Sequence, residues 1–318
     1  MTPKPLAKNP KFRGLIDFHN AFPDERACRL HLERIRWNGQ IACVHCGSMR
    51  KIYRINEGKL FRCADCGKQF TVRLKTIFED SALPLRKWFM AIYIFMAHKK
   101  GISSVQLSKD IQVTQKTAWF MLHRIRYAVR TRKLDKPLNG IVEADETYVG
   151  GKTHGGKRGL GAEKKTIVFG MIERKGKVVA QTIKHADKKT LQGIMRENVS
   201  RDAIVMTDDN NAYHDLEETF DSHESVNHSK KEYVRGDVHV NNIESFWALF
   251  KRGYHGTYHW MSPKHMDKYI DEFEFRLNSK DITDPSRLTL MLNHAEGRMS
   301  YKQLIRKNGR MNNRPLSV

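Results

Sequence analysis

Apolar residues recur at two spacings along the chain, and the change from one to the other predicts where helices give way to strands. In the first half, apolar positions lie three or four residues apart, which is the spacing of an amphipathic helix. This spacing predicts helices over 14–37 and 84–98, the second beginning after Pro84. It also predicts two helices within 101–131, with a break near Gln112.

The second half mixes apolar strands with helices. Alternating or continuous apolar runs predict strands at 141–149, 166–172, 178–183 and 203–207, with a weaker one at 223–228. Helical spacing predicts helices at 187–198 (capped by Asp187), 211–219, 241–252 and 263–279. In chain order these elements are typical of a ribonuclease-H-like α/β fold, in which helices flank a mixed sheet.

These patterns divide the chain into five segments. They are an N-terminal helical segment (1–40), a cysteine-bearing ribbon (41–75), a helix-turn-helix region (80–133), a ribonuclease-H-like domain (139–280), and a C-terminal helix with a basic tail (281–318).

Charge is distributed unevenly between the two halves. The formal net charge is +22, and residues 1–136 hold 28 Lys and Arg against 10 Asp and Glu. Residues 137–318 hold 29 against 25. Because such a surplus is typical of proteins that bind nucleic acid, the first half is predicted to bind a polyanion.

The sequence shows no sign of a membrane segment. No apolar run reaches the roughly 18 residues that span a bilayer, and residues 1–10 lack the apolar stretch of a secretory signal. We therefore expect no membrane partner and a cytoplasmic site of action.

Four of the five cysteines form two matched C-x-x-C-G motifs, 16 residues apart. Two residues between the cysteines of a pair allow both thiolates to reach one ion, and two pairs complete a tetrahedral shell. The motifs therefore predict a structural zinc bound by Cys43, Cys46, Cys63 and Cys66.

The stretch from Gly101 to Arg130 has the spacing of a helix-turn-helix, with Ser103 or Ser104 capping the first helix and Thr114 capping the second. The second helix of such a motif presents its N-terminal residues to base edges in the major groove. Base contacts are therefore predicted for Gln115, Lys116 and Thr117, and phosphate contacts for Arg124 and Arg126.

Three acids stand out in the second half. Asp145 and Asp208 each lie in or after an apolar strand, where a buried carboxylate is costly unless it meets a cation. Glu244 follows Asp208 after 35 residues and lies in a predicted helix. Lys251, seven residues later, returns to the same face as Glu244, while Phe246 and Trp247 are placed on the core side.

This arrangement resembles the signature of DDE-type transposases, in which two Asp residues are followed, after 35 residues, by Glu with a basic residue seven further on. The resemblance is closer to insertion-sequence transposases that carry an N-terminal zinc ribbon (ISXO-like). The stretch 142–151 is similar to their first-Asp motif, and 239–259 is similar to their third-acid motif. Some relatives use Asn or His as the third ligand, so Asn241 and His239 are alternatives to Glu244.

The resemblance implies an enzyme that binds the terminal inverted repeats of an insertion sequence and frees 3′-hydroxyls. It then joins them to target DNA by two-metal phosphoryl transfer. Asp145, Asp208 and Glu244 would hold Mg²⁺ or Mn²⁺, and Lys251 would contact phosphate near the cut. The expected partners are double-stranded DNA, as element ends and target, and further copies of the chain in a homodimer or larger synaptic complex. The expected location is the nucleoid of a bacterial cell.

Two other functions fit the same residues. One is a DNA-binding regulator built from the ribbon and the helix-turn-helix, with an idle second half. The other is a ribonuclease-H-fold nuclease that cuts DNA without strand transfer. Joined DNA products distinguish the transposase from both.

Overall fold

The computed structural model describes residues 10–130, 136–150, 165–227, 232 and 234–306. The chain forms two compact units. The first takes in the chain up to His98, Ser103–Val129, and the chain from Ile282 onward. The second takes in Lys99–Ile102 and Arg130–Asp281.

The first unit begins with two helices, α1 (Leu15–Ala21) and α2 (Glu25–Trp37). A single helix was expected over 14–37, but Pro23 lies between the two and Asp24 starts the second. The Asp24 carboxylate accepts a hydrogen bond from the Ala27 N–H (2.7 Å), which satisfies one free donor at the helix N-terminus.

The ribbon that follows is a small antiparallel sheet of β1 (Ile52–Ile55), β2 (Leu60–Cys63) and β3 (Gln69–Phe70). Its core is small, and Phe61 stacks on Phe70 with ring centroids 5.5 Å apart. So small a core is typical of folds that depend on a bound metal.

Three helices complete this part of the first unit: α3 (Leu85–Ala97), α4 (Ser104–Asp110) and α5 (Gln115–Val129). Ser103 caps α4, because its hydroxyl accepts from the Gln106 N–H at 3.1 Å. Thr114 caps α5, because its hydroxyl accepts from the Thr117 N–H at 3.2 Å. Both predicted helices and the Thr114 cap are therefore confirmed.

The second unit is a mixed α/β structure. Its elements are β4 (Ile141–Val149), β5 (Thr166–Glu173), β6 (Val178–Ile183), α6 (Lys188–Asn198), β7 (Ile204–Asp208), β8 (Ser222–Val226), α7 (Asn241–Gly253) and α8 (Met266–Asn278). The sheet order is β6-β5-β4-β7-β8; β4 pairs antiparallel with β5 and parallel with β7. The predicted mixed sheet flanked by helices is confirmed.

Apolar residues cover both faces of this sheet. On one face, α7 and α8 contribute to a core that includes Ile243, Phe246 and Phe273. On the other, α6 contributes to a core with Leu191 and Tyr213. The prediction of a helix over 211–219 is wrong. The chain there forms two short 3-10 turns, Asn211–Tyr213 and Leu216–Glu218, because Asp215 between them has a φ of +65°, which an α-helix does not allow.

The outer edge of the sheet, β6, is covered by side chains of α8. Three alternate N–H groups of the strand donate to them: Val178 to Asn278 (2.8 Å), Ala180 to Glu274, and Thr182 to Asp267 (2.8 Å). An uncovered edge strand would present these groups to another chain, so the helix closes the sheet on this side.

The chain then returns to the first unit with α9 (Asp284–Asn293) and α10 (Tyr301–Ile305). Most of the predicted basic tail, including Arg310 and Arg314, lies outside the described residues. None of the helices in the described parts of the chain is long and apolar enough to cross a bilayer.

Candidate active site and metal centre

Strand register brings the first two predicted acids together. In the parallel pair of β4 and β7, Glu143 lies opposite Met206. Both strands continue in this direction, to Asp145 two residues after Glu143 and to Asp208 at the end of β7, and the two carboxylates are close enough for the charge of Asp208 to raise the pKa of Asp145. The sheet therefore places two carboxylates at neighbouring positions, although 62 residues separate them in the sequence.

Helix α7 contacts this pair through a tryptophan. The Trp247 indole N–H donates to Asp145 Oδ2 at 3.0 Å, and the rest of the ring is buried in the core. Glu244 lies three residues before Trp247 and Lys251 four residues after it, about one helical turn to either side. Both are exposed, and the core side predicted for α7 is confirmed.

A glycine makes room for this contact. Gly170 on β5 lies directly opposite Asp145. A Cβ at Gly170 would stand 2.7 Å from the Trp247 ring and 3.2 Å from Ile243. Because real side chains do not pack that closely, the indole reaches Asp145 only if residue 170 has no side chain.

Glu143, two residues before Asp145, fixes the beginning of α7. Its carboxylate is fully buried and accepts hydrogen bonds from the N–H groups of Asn242 (2.7 Å) and Ile243 (3.1 Å). It also accepts from the Asn242 side chain (2.7 Å) and from Arg174 Nε (2.8 Å). A negative charge at a helix N-terminus is favourable, and the arginine offsets the cost of burying it. Glu143 thereby joins β4 to the helix that carries Glu244.

Glu146, on the other side of Asp145, fixes the segment after Asp208. It accepts hydrogen bonds from the Asn210 side chain (2.9 Å) and from the Tyr213 hydroxyl (2.6 Å). Asp209, by contrast, is exposed and accepts from Asn227. The two acidic neighbours of Asp145 therefore hold the helix and the loop that flank the carboxylate pair.

The pair is electrostatically strained without a cation. Burial, together with the negative charges of Asp208 and Glu146, raises the pKa of Asp145 from 3.8 to about 7. Two carboxylates that repel one another in a partly buried position are stabilised when a divalent cation takes their oxygens as ligands. The donor set and its charge therefore fit Mg²⁺ or Mn²⁺.

The candidates for the third ligand differ in their surroundings. Glu244 and Asn241 are both exposed in the first turn of α7. The ring of His239 lies against the buried network, with Nδ1 3.0 Å from Arg174 and 3.2 Å from Glu143. In the described part of the chain, the three acids do not form a cluster as tight as that of the cysteines.

The four predicted zinc ligands do come together. The sulfur atoms of Cys43, Cys46, Cys63 and Cys66 all lie within 4.8 Å of one another. Cys43 and Cys66 are 3.7 Å apart, as are Cys46 and Cys63. Four Zn–S bonds of about 2.3 Å in a tetrahedron give sulfur separations of about 3.8 Å. The cluster therefore has the size that a zinc ion requires.

The residues predicted to contact bases lie at the start of α5. Gln115 and Lys116 are exposed, and Thr117 is partly exposed. The Gln115 side chain donates to the Ser104 hydroxyl (2.8 Å), and Lys116 Nζ lies 5.0 Å from the Tyr301 ring centre.

Arg124 and Arg126, predicted to contact phosphate, lie inside the first unit. Arg124 is 4% exposed and donates to the carbonyl groups of Met299, Ile77 and Glu79 at 2.8 to 3.0 Å. Arg126 is fully buried. The predicted phosphate contacts do not agree with this burial, because a guanidinium inside the core cannot reach a DNA backbone. Arg124 instead holds separate segments of the chain together.

Comparison with known proteins agrees with this combination of units. The family model of the transposase zinc-ribbon domain matches residues 23–69, and that of the ISXO2-like transposase domain matches residues 137–278. No solved structure matches the chain.

Two curated relatives carry related descriptions. One is an "uncharacterized protein in transposable element ISH50" of Halobacterium salinarum, 31% identical over 284 residues, which covers 80% of this chain and 91% of the relative. The other is an "uncharacterized transposase-like protein" of Haemophilus influenzae, 32% identical over 108 residues, which covers 34% of this chain and 86% of the relative.

The four-cysteine ribbon and the α/β unit are thus those of an insertion-sequence transposase, a class whose members cut and join DNA. Within that class, the chain belongs to the ISXO2-like transposases.

Sequence reasoning predicted the packing of Trp247 but not its hydrogen bond to Asp145, nor the contacts of Glu143 with α7, nor the space left by Gly170. A signal was present for Glu143, because alternation within an apolar strand places it on the same face as Asp145. No local signal marks Gly170, because its role depends on the register between β4 and β5.

Proposed function

We propose that this protein cleaves DNA at the ends of an insertion sequence to free 3′-hydroxyls and joins them to target DNA by metal-dependent phosphoryl transfer. The observation that carries the proposal is the placement of Asp145 and Asp208 close together on the adjacent strands β4 and β7, beside a helix whose Trp247 donates a hydrogen bond to Asp145. The same arrangement supports the proposal that the second unit has a ribonuclease-H-like fold.

The residues divide the chemistry between them. Asp145 and Asp208 would bind divalent cations at the carboxyl end of β7, and Glu244 would supply a ligand from α7. Bound divalent cations would activate the attacking water or 3′-hydroxyl and stabilise the leaving oxygen. Lys251, exposed one turn beyond Trp247, would pair with a phosphate near the cut.

Glu244 is preferred as the third ligand. It is exposed and one turn from Trp247, whereas the ring nitrogen Nδ1 of His239 lies against Arg174 and Glu143. Asn241 lies three residues before Glu244 on the same helix and is the alternative that the variants below test.

For recognition of the element ends, α4 and α5 would act as a helix-turn-helix, with the exposed Gln115 and Lys116 on base edges. The hydroxyl of Thr117 lies 2.8 Å from that of Thr114, so we give Thr117 a smaller role. Zinc at the four cysteines would be structural, because a closed shell of thiolates leaves no position for substrate. Two ends must be joined, so the active form would be a homodimer or larger complex.

The test is a cleavage and joining assay on a duplex that carries the element end, with Mg²⁺ or Mn²⁺. The wild type should yield both cut and joined products. Glu244→Gln should lose both, while Asn241→Ala should retain them; the reverse result would make Asn241 the ligand. Cut products without joined ones would reduce the function to that of a nuclease. Binding without any cleavage would make the protein a regulator and overturn the proposal.

A further inference from the structure

We infer that Trp260 is a stacking platform for an unpaired base of the DNA substrate, so that the protein prefers an element end whose terminal base pairs are open. The inference rests on the proposed function in one respect, namely that DNA is the substrate. Trp260 lies in the second unit, seven residues after the end of α7, the helix that carries Glu244 and Lys251.

The indole of Trp260 is accessible to a ligand. It keeps 66% of its surface exposed, whereas the four other tryptophans of the chain are buried or partly buried. The two tyrosines before it serve the fold, because Tyr254 is buried and the Tyr258 hydroxyl donates to the buried Glu272 at 2.6 Å. Core packing therefore accounts for these tyrosines and does not account for Trp260.

The backbone that presents Trp260 is strained. The chain leaves α7 through a π-helical turn, Tyr254–Tyr258, a conformation that is frequent at functional sites. The Trp260 N–H then donates to the Tyr258 carbonyl at 2.6 Å, which closes a three-residue turn around His259. His259 has a φ of +58°, and such turns are rare and strained. Because His259 and Trp260 are both exposed, the turn buries neither side chain, and a role for the indole accounts for the strain.

The surroundings of Trp260 suit a nucleic-acid backbone. Residues 245–266 contain three Lys and Arg and three His, but no Asp or Glu. Lys251, His255 and Lys264 are exposed among them. Lys251 and His255 lie seven and eleven residues after Glu244, so they continue the helix face on which Glu244 lies. A positively charged track that ends at an exposed aromatic ring is typical of surfaces that bind single-stranded nucleic acid.

Only an unpaired base can use the flat face of the indole. Within a duplex each base is stacked on its neighbours, so a side chain can stack on a base only after that base has left the helix. Tyr254 lies about 15 Å along the helix axis from Glu244, which is roughly four nucleotides at about 3.4 Å each. We therefore expect the base to lie within a few nucleotides of the cut. An acidic protein partner would engage the cations but not the ring, which makes it the less favoured occupant.

The test compares two duplexes that carry the element end, one fully paired and one with its terminal base pairs mismatched and so open. Affinity is measured by fluorescence anisotropy with the full zinc-loaded chain in the absence of Mg²⁺, so that no DNA is cut. Wild type should prefer the open-ended duplex. Trp260→Ala should lose this preference and bind the open-ended duplex about 5- to 140-fold more weakly, which corresponds to about 1–3 kcal/mol at about 1.4 kcal/mol per tenfold.

Two further variants control for the loss of the ring. Trp260→Phe keeps an aromatic face and should retain most of the preference for the open end. Tyr53→Ala removes another exposed ring, which lies in the ribbon and is 46% exposed, and should leave the preference unchanged. Thermal unfolding checks that each variant is folded.

A cross-linking measurement needs no variant. When 5-iododeoxyuridine is placed in turn at each terminal position of the open-ended duplex, irradiation should join one of these bases to Trp260, as mapped by mass spectrometry. Equal affinity losses for the two duplexes in Trp260→Ala, no loss for either, or no cross-link to Trp260 would overturn the inference. Failure of the proposed function would instead appear as absent cleavage with Mg²⁺ while the preference for the open end persists.

Discussion

Replacing Glu143 by Gln tests whether this buried carboxylate holds α7 in place. The substitution keeps the side-chain volume, but it removes the charge facing Arg174 and turns an amide NH₂ toward groups that are themselves donors. Four hydrogen bonds of 2.7 to 3.1 Å converge on the carboxylate, three of them from the first turn of α7.

Removing one partner of a buried ion pair costs about 3–5 kcal/mol. The lost hydrogen bonds give a similar free-energy cost, because two buried donors left without acceptors cost about 1–3 kcal/mol each, or about 2–6 kcal/mol together. With a Tm change of roughly 2–4 °C per kcal/mol for a protein of this size, we expect Tm to fall by about 10 °C.

The assay is thermal unfolding at neutral pH, combined with DNA cleavage. The control is Glu224→Gln, which removes an exposed carboxylate 3.3 Å from Arg235 and should cost less than about 1 kcal/mol. Below the melting range, Glu143→Gln should reduce cleavage more than DNA binding, because α7 carries Glu244. If the Tm of Glu143→Gln matches that of the control, the carboxylate does not anchor the helix.

Three further predictions follow from the site. Gly170→Ala places a methyl group against the Trp247 ring and should lower the free energy of unfolding by about 1–3 kcal/mol, together with a loss of cleavage. The control is Gly193→Ala, because a Cβ at that position meets nothing within 4 Å. Unaltered cleavage by Gly170→Ala would show that the indole contact is dispensable. Because the folded-state pKa of Asp145 is raised to about 7, the metal-free protein should lose stability as the pH rises from about 4 to about 7. Asp145→Asn should abolish that dependence in thermal unfolding scans. An equal pH dependence in this variant would show that Asp145 is not its source. Chelation of zinc should unfold the ribbon, because thiolate ligation substitutes for its small core; circular dichroism that is unchanged after complete removal of zinc would contradict this.

Local signals in the sequence identified most helices and both carboxylates on the sheet. Asp187 caps α6 as predicted, because an acidic side chain at that position satisfies free N–H groups regardless of the rest of the fold. The matched cysteine pairs predicted their own cluster for the same reason, since the spacing within each pair fixes its local geometry. Features of this kind are visible in a single stretch of sequence.

Features created by distant contacts were missed. Arg124 looks like a surface cation in the sequence, but the carbonyl groups of Ile77 and Met299 enclose it once α10 and the segment before α3 pack around α5. The hydrogen bond from Trp247 to Asp145 joins residues 102 positions apart and depends on Gly170 from a third element. Neither spacing nor composition encodes such contacts, because they arise from strand register and packing.

Calorimetric titration of the zinc-loaded protein with Mn²⁺ measures whether Asp145 and Asp208 bind divalent cations together. Asp209→Asn is a matched control, because it changes the neighbouring exposed acid and leaves Asp208 in place. Wild type and Asp209→Asn should bind Mn²⁺ with similar affinity, while Asp145→Asn and Asp208→Asn should lose that binding. Mn²⁺ binding to Asp208→Asn with the affinity of the wild type would contradict the account.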